Sequence, residues 1–448
     1  MFRRVLVANR GEIAVRVIRA LHELDVEAVA IYSTADRDAL HVRMADQAIC
    51  VGPPSAAESY LRIPSVIAAA ETTGCEAVHP GYGFLAENPA FVQACVGNDL
   101  VFVGPSADVM ATMGDKISAR QVMHDADVPT VPGTEGETSV AAARRAADEL
   151  GYPILLKASA GGGGKGMRLV RSPEDVEDAF GAAAAEAQAA FGDPRLYVEK
   201  ALSPTRHVEI QVLCDDHGEV LTLGERECSI QRRHQKLIEE SPSAALTPEA
   251  REAMEEAAER ACKAVGYRNA GTFEFLLSPE GNFYFIELNA RLQVEHPVTE
   301  LVTGVDIVRE QLRIAAGERL VATGRADRRG HSIEIRLNAE DPEHDFRPSP
   351  GRIELFRAPE GPGVRVDTFV ESGSLITPYY DSMIAKLIVW DADRPTAIAR
   401  AERALRETLV DGVPTTRELA LEVLASEPFR SGNYSTSTLD ALRAEVAV

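Results

Sequence analysis

An α/β chain of several domains is what this sequence predicts. Three observations carry that expectation: short apolar runs alternating with amphipathic stretches over residues 3–104, a glycine run between two strand patterns at 154–170, and a strand pair joined by Ser278-Pro279-Glu280-Gly281. With 448 residues and 45% hydrophobic content, the chain can bury cores in about two to four domains. In the first stretch, strands are expected over 5–8, 28–32, 77–79 and 101–103, with a helix over 13–24. That alternation describes an open layer of parallel strands. Its first strand-to-helix turn, Val7-Ala8-Asn9-Arg10-Gly11-Glu12-Ile13, lacks the three glycines that a dinucleotide pyrophosphate requires, which argues against a nicotinamide dehydrogenase.

A break at Val131-Pro132-Gly133-Thr134-Glu135-Gly136 opens a second, smaller unit. It should hold a helix over 139–150, strands over 154–157 and 167–170, and a helix begun by Ser172-Pro173, since Ser caps and Pro starts helices well. A small unit bounded by glycines suits a moving lid. Beyond it come a strand over 208–213, a helix from Thr247-Pro248 to about 265, and the hairpin 272–277 with 282–289. Strands over 333–338, 353–356, 364–369 and 384–390 follow, then helices from 396 onward.

A formal net charge of −22 argues against general affinity for nucleic acid or anionic lipid, so any anionic substrate must be gathered by a local basic pocket. The six cysteines, Cys50, Cys75, Cys95, Cys214, Cys228 and Cys262, show no C-x-x-C pair and read as reduced thiols. No signal peptide is visible at the N-terminus, and no window approaches the about 18 apolar residues of a membrane span. The expectation is a soluble, cytoplasmic protein with no nucleic-acid or membrane partner.

Four groups of residues could carry chemistry. Lys157-Ala158-Ser159-Ala160 followed by Gly161-Gly162-Gly163-Gly164-Lys165-Gly166 lets backbone N–H groups approach phosphate oxygens while lysines neutralise charge; it is not a Walker A loop, because Gly166 stands where Ser or Thr is needed. On the hairpin, Phe285, Glu287 and Asn289 are expected to share a face, with Glu274 opposite. Two carboxylates and a carboxamide converging there suit Mg2+ bound together with nucleotide phosphates. In Arg291-Leu292-Gln293-Val294-Glu295-His296, Arg291 could hold a small oxyanion through its planar fork and Glu295 could act as general base. His296, preceding Pro297, reads as a structural turn residue. Lastly, Arg206-His207-Val208-Glu209 and Gln231-Arg232-Arg233-His234-Gln235-Lys236 concentrate cationic and donor groups that suit phosphate or bicarbonate, though surface loops would have the same composition.

Together with Ala8-Asn9-Arg10-Gly11-Glu12-Ile13-Ala14 and His79-Pro80-Gly81-Tyr82-Gly83-Phe84-Leu85, these strings in this order closely resemble the biotin carboxylase family from about residue 3 to 445. The resemblance implies an ATP-grasp fold: an N-terminal Rossmann-like domain over 1–114, an ATP-grasp region over 115–330 with its lid at about 131–202, and a C-terminal biotin carboxylase domain over 331–448. It further implies that Lys116, Lys157, Gly163 and Gly164 contact ATP phosphates, that Glu199, Lys200, Ala201 and Leu202 form the hinge holding adenine, and that Gln231 stands with His207 and His234 as nucleotide contacts. Glu274, Glu287 and Asn289 match the ligands of Mg2+ or Mn2+. Bicarbonate is assigned to Lys236, Arg291, Gln293 and the backbone of Val294, with Glu295 as its base. Arg336 matches the arginine that stabilises the biotin enolate, and Tyr82 lines the same region. Ala160 and Ala290 depart from the commoner Gly and Thr.

The implied activity is ATP-dependent carboxylation of biotin through carboxyphosphate. The string around Arg336 and Pro378-Tyr379-Tyr380-Asp381-Ser382-Met383 argues against a carbamoyl-phosphate synthetase half, the main rival, and a non-catalytic nucleotide-binding subunit is the alternative from another class. No Met-Lys-Met biotinylation site and no carboxyltransferase pattern is present, so the chain is expected either to work with a separate biotin carboxyl carrier protein or domain and a carboxyltransferase subunit or to be a fragment of a longer polypeptide; the resemblance implies a homodimer. The final acceptor, acetyl-CoA, another acyl-CoA or pyruvate, stays open.

Overall fold

Val5, Leu6 and Val7 are fully buried in the strand Arg4–Val7, the centre of a five-stranded parallel sheet. The computed structural model describes residues 1–134, 136, 138–160, 166–320 and 322–446. Across the sheet the order is Gln47–Gly52, Glu27–Ser33, Arg4–Val7, Ala77–His79, Val101–Phe102. The edge strand Gln47–Gly52 escaped the sequence reading because its apolar run, Ala48 to Val51, is only four residues long and does not alternate with polar residues. The first helix is Gly11–Glu23, starting two residues earlier than expected: Gly11, at φ +69°, turns the chain directly from strand into helix. Ile13, Val17, Ile18 and Leu21 then bury one face against Val5 and Val7.

Strand order reverses between Arg4–Val7 and Ala77–His79, and ligands of open α/β sheets bind outside the strand ends at such points. The two loops that leave these strands are tied together there, Asn9 Nδ2 donating to Pro80 O at 2.6 Å and to Tyr82 O at 2.8 Å.

The smaller unit is a three-stranded antiparallel sheet, Met167–Val170, Ile154–Ala158 and Leu196–Lys200, covered by helices Val140–Leu150 and Val176–Phe191. Ser139 caps the first helix, whereas Ser172, expected to cap the second, makes no cap hydrogen bond: a short turn, Pro173–Asp175, precedes that helix. Its core of Ala143, Ala147, Ile154, Leu156, Val170, Val176 and Val198 is separate from the larger clusters. Gly163 and Gly164 lie outside the described residues.

A long antiparallel sheet carries the rest. Its order is Phe283–Asn289, Asn269–Leu277, Arg206–Cys214, Val220–Arg232, Gln235–Ser241, His331–Asn338, Met383–Asp391, Val364–Thr368. The pairing of Gln235–Ser241 with His331–Asn338 takes the sheet across residue 330 without a break. The expected strand over 353–356 is instead divided between Gly351–Arg352 and Leu355–Arg357: Ile353 N donates to Ser374 O and Glu354 N to Asp411 O, so neighbouring residues are claimed by different partners.

Glu240 locks this junction. Its carboxylate, 1% exposed, accepts from His331 Nε2 at 2.6 Å, Arg394 Nε at 2.8 Å and the Tyr434 hydroxyl. Burial opposes the charge, but these partners prevail and hold the pKa down at about 2. A depressed carboxylate stabilises the fold above its unfolded pKa and loses that contribution as pH falls through the folded value. Glu240→Gln should therefore lower stability by on the order of 3 kcal/mol at pH 7. Its deficit should shrink between about pH 4.3 and 2, which acid denaturation monitored by circular dichroism will read.

Candidate functional site

A cleft of about 1040 Å³ runs between the N-terminal sheet, the small unit and the long sheet. At one end stand two lysines. Lys116 opens the helix Lys116–Asp125, whose cap Asp115 accepts from Ser118 N at 2.8 Å and from Ser159 Oγ at 2.8 Å, while Lys116 N donates to Ser159 O at 2.9 Å. The helix start is thereby fastened to the strand end that leads into the glycine run. Burial depresses the Lys116 pKa, and Glu287, 3.9 Å from Nζ, partly restores it. Lys157 Nζ donates to Glu199 Oε2 at 2.6 Å, and Arg120 Nη1 to Glu199 Oε1 at 2.7 Å.

Glu199 thus lies buried behind Lys157 rather than on the cleft wall; Lys200 turns to Gly151 O, and of the segment from Glu199 to Leu202 only Leu202 lines the cleft. The strong pairing of Glu199 with Lys157 and Arg120 was not legible in the sequence.

His207, Gln231 and His234 line the middle of the cleft. The basic segment 231–236 is a tight hairpin turn, not a loop: Arg233 and His234, at φ +46° and +67°, join Val220–Arg232 to Gln235–Ser241. Two-residue turns with positive φ at both positions favour Asn and Gly, so holding Arg and His here costs on the order of 1 kcal/mol or more per residue and points to a role for the side chains. The two strands were missed because their inward positions carry charges: Glu225, Arg226, Glu227, Glu239 and Glu240 are all buried.

The acidic hairpin forms as expected, Glu274 directly opposite Glu287. One expectation fails. A bulge after Glu274 shifts the register so that Phe275 pairs with Phe285, and Phe285 turns into the core against Phe273 and Phe275, while Ile286, Glu287 and Asn289 face the cleft. Phe285 therefore does not share a face with Glu287 and Asn289.

At the far end, Lys236 Nζ donates to Glu209 at 2.6 Å, Glu274 at 2.9 Å and Glu295 at 2.6 Å. Arg226, fully buried, reaches Glu209 Oε1 at 2.5 Å. Arg336 spans Glu239 and Glu295 at 2.6 and 3.0 Å. Glu295 is itself sealed beneath the cleft floor, where burial would raise its pKa but Lys236, Arg336 and Arg226 hold it well below the usual carboxylate range. Glu274 is likewise depressed: burial is outweighed by Lys236 and by His207, whose Nε2 lies 3.0 Å away without hydrogen-bond alignment.

Arg291 is held flat by four contacts: Glu87 at 2.8 Å, Leu292 O at 3.1 Å, Gln293 Oε1 at 3.0 Å and Asn289 Oδ1 at 3.0 Å. Gln293 Nε2 donates to Glu274 at 3.0 Å. Val294, Arg336 and Tyr82 complete the lining. His296 is fully buried and its Nδ1 bonds Gln293 O at 2.8 Å, the structural turn role that its sequence position indicated.

Family models match three consecutive stretches: "Biotin carboxylase, N-terminal domain" at 1–110, "Carbamoyl-phosphate synthase L chain, ATP binding domain" at 115–323, and "Biotin carboxylase C-terminal domain" at 334–441. The biotin carboxylase of Nostoc sp. is 54% identical over 97% of this chain and 98% of its own length. The chain belongs to the biotin carboxylase family. As a biotin carboxylase it is an ATP-dependent ligase. Relatives differ in their final acceptor: a pyruvate carboxylase component from Methanothermobacter thermautotrophicus is 51% identical over 99% of this chain and 90% of its own. The biotin carboxylase domain of Hydrogenobacter thermophilus 2-oxoglutarate carboxylase, solved as a dimer with MgADP, ADP and bicarbonate, superposes with a TM-score of 0.95 at 49% identity, covering 98% of both chains.

Glu274, Glu287 and Asn289 offer a hard-oxygen donor set facing the cleft, and such carboxylate and carboxamide oxygens fit a divalent cation of the Mg2+ type. Among the described residues no helix is long and apolar enough to cross a membrane.

Lys236→Met should leave Glu209, Glu274 and Glu295 crowded without their shared cation and destabilise the biotin carboxylase by on the order of 3–5 kcal/mol at neutral pH. In the native protein, the depressed Glu274 and Glu295 contribute stability above about pH 4.3 that is lost on acidification. Uncompensated carboxylates have raised folded pKa values, so the variant should instead gain stability as pH is lowered from 8 to 5.5. Urea denaturation at the two pH values measures the reversal.

Proposed function

We propose that the cleft carries out ATP-dependent carboxylation of biotin, with ATP phosphates at the Lys116–Lys157 end and bicarbonate and biotin at the Arg291–Arg336 end. The observation that supports this most directly is the order of groups along one cavity: two lysines, a carboxylate–carboxamide set, then convergent Arg, Gln, backbone and Arg donors. The segment from Glu199 to Leu202 would hold adenine, with His207, Gln231 and His234 as further nucleotide contacts and the glycines Gly163 and Gly164 over the phosphates. Glu274, Glu287 and Asn289 would hold Mg2+ or Mn2+, which when bound neutralises phosphate charge and aligns the transferring group.

Arg291, Gln293 and the Val294 backbone bind bicarbonate, and Glu295 takes its proton. With Lys236 and Arg336 bound to it, Glu295 is a weak base. An anion that claims donors of Lys236 removes one counter-charge from Glu295 and raises its basicity where the substrate has just arrived. The bicarbonate oxygen then forms a bond to the γ-phosphorus as the bond to the β-phosphate oxygen breaks, giving carboxyphosphate and ADP. Carboxyphosphate separates into CO2 and phosphate; phosphate takes the biotin N1′ proton, and N1′ bonds to CO2. Arg336 stabilises the negative oxygen of the ureido group meanwhile. The unit over 131–202 closes to exclude water from carboxyphosphate.

Units 1–114, 115–330 and 331–448 are the working division, although the long sheet crosses the last boundary. The biotin comes on a carrier protein or domain, a carboxyltransferase subunit receives the carboxyl group as the second half of an acyl-CoA carboxylase, and the chain pairs as a homodimer in the cytoplasm. Acetyl-CoA, another acyl-CoA and pyruvate are the candidate acceptors, and the similarity to pyruvate and 2-oxoglutarate carboxylase components keeps the choice open.

Free biotin should stimulate bicarbonate-dependent ADP release by the purified chain. Arg336→Met should cut the biotin-dependent rate by about 10²-fold with little change in KM for ATP. Absence of biotin stimulation in the unmodified protein would overturn the proposal.

A further inference from the structure

Lys386 is a charged residue in the middle of an apolar strand, Met383–Asp391, and it is completely buried. It stands directly across from Arg336 in the sheet. Its Nζ donates to Val294 O at 2.9 Å and lies 3.1 Å from Glu12 Oε1. Glu12 in turn accepts from the Tyr82 hydroxyl.

The other charges around Lys386 are accounted for without it. Asp367, 3.9 Å away, is bound by Arg365 through two contacts at 2.8 and 2.7 Å. Arg365 also reaches Glu300 at 2.7 Å, and Glu300 pairs with Arg16 at 3.0 Å. Glu334, fully buried with no partner for either carboxyl oxygen among the described residues, is pushed strongly toward its neutral form by burial. His296 is held neutral by burial and by the cations Lys386, Arg16 and Arg365. Glu12 is therefore the principal counter-ion of Lys386, and among the described residues the lysine's one hydrogen bond to an uncharged group goes to the peptide of Val294.

That peptide belongs to a turn whose carbonyls are held in sequence: Leu292 O by Arg291, Gln293 O by His296, Val294 O by Lys386. An ammonium supplies several donors on one compact head, so it can grip a carbonyl and a carboxylate at once. We propose that Lys386 is a positioning residue for the bicarbonate end of the cleft, pinning the Val294 backbone on one side while its partner Glu12 pins Tyr82 on the other. The inference rests on the reading that bicarbonate binds at Arg291, Gln293 and Val294, and it assigns a function to a residue that touches neither substrate.

The test uses the full chain and bicarbonate-dependent ADP release. The double variant Lys386→Met with Glu12→Gln removes both charges of the buried pair together. It should raise KM for bicarbonate about tenfold while KM for ATP stays within about twofold, whereas Glu12→Gln alone, which leaves the Val294 contact, should change KM for bicarbonate by less than about threefold. A merely structural ion pair would lower the melting temperature and depress kcat for all substrates alike, so parallel changes in both KM values, or none, would overturn the proposal. If the double variant does not fold, Lys386→Arg carries the same test: its longer fork keeps the charge but displaces the Val294 carbonyl, and the same split in KM is expected, its absence being equally fatal. Unmodified protein with no bicarbonate-dependent ADP release would overturn the underlying reading too; normal activity there, without the split in the variants, overturns the role of Lys386 alone.

Discussion

One ammonium group organises the reactive end of this molecule. Lys236 touches Glu209, Glu274 and Glu295 within 2.9 Å, and each of those carboxylates comes from a different segment. Three buried carboxylates at such distances could not all stay ionised without a cation among them. Their meeting therefore depends on Lys236, and Lys236 in turn depends on the tight turn at Arg233–His234 that brings the strand Gln235–Ser241 back beside Val220–Arg232. Backbone strain at that turn and charge crowding beside it are two costs carried by the same few residues, where the chemistry is proposed.

Around this centre the protein handles charge by sharing. Arg336 bridges Glu239 and Glu295, Arg226 meets Glu209, and Glu240 gathers His331, Arg394 and Tyr434. An acidic chain of net charge −22 can thus present a locally cationic cleft, because many of its inward carboxylates are already matched by buried arginines and lysines. Shared cations also make a responsive site. A group that serves several anions can be drawn toward a new one, and its former partners then change basicity.

Much of the site was legible because its residues are close in sequence or set by strand geometry. Glu274 and Glu287 are opposed across a short hairpin, and the segment from Arg291 to Glu295 lies in one turn, so spacing sufficed to bring them together. The face of Phe285 was misread because a single bulged residue reverses side-chain direction, and nothing in the alternation of Phe283 to Asn289 marks it. Glu209 looked like an ordinary charge on a strand, and Arg226 and Glu239 fell in stretches too charged to read as strands, since burial of a charge is visible only once its partner is. Lys386 did leave a signal: a lysine inside Met383-Ile384-Ala385-Lys386-Leu387-Ile388-Val389-Trp390 is out of place unless something buried needs it.

The α/β class, the first helix and its strand, the capped helices at Ser139 and Thr247, and the family were all determined by the sequence alone, because periodicity, caps and ordered motifs act over short stretches of chain. What only the tertiary structure decided is which distant charges share one counter-ion: Lys236 with Glu295, Arg336 with Glu239, Lys386 with Glu12 and the Val294 carbonyl. The physical reason is that an ion pair is stabilised by distance and by exclusion of water, and neither is encoded in local pattern until the strands Gln235–Ser241, His331–Asn338 and Met383–Asp391 lie side by side in one sheet.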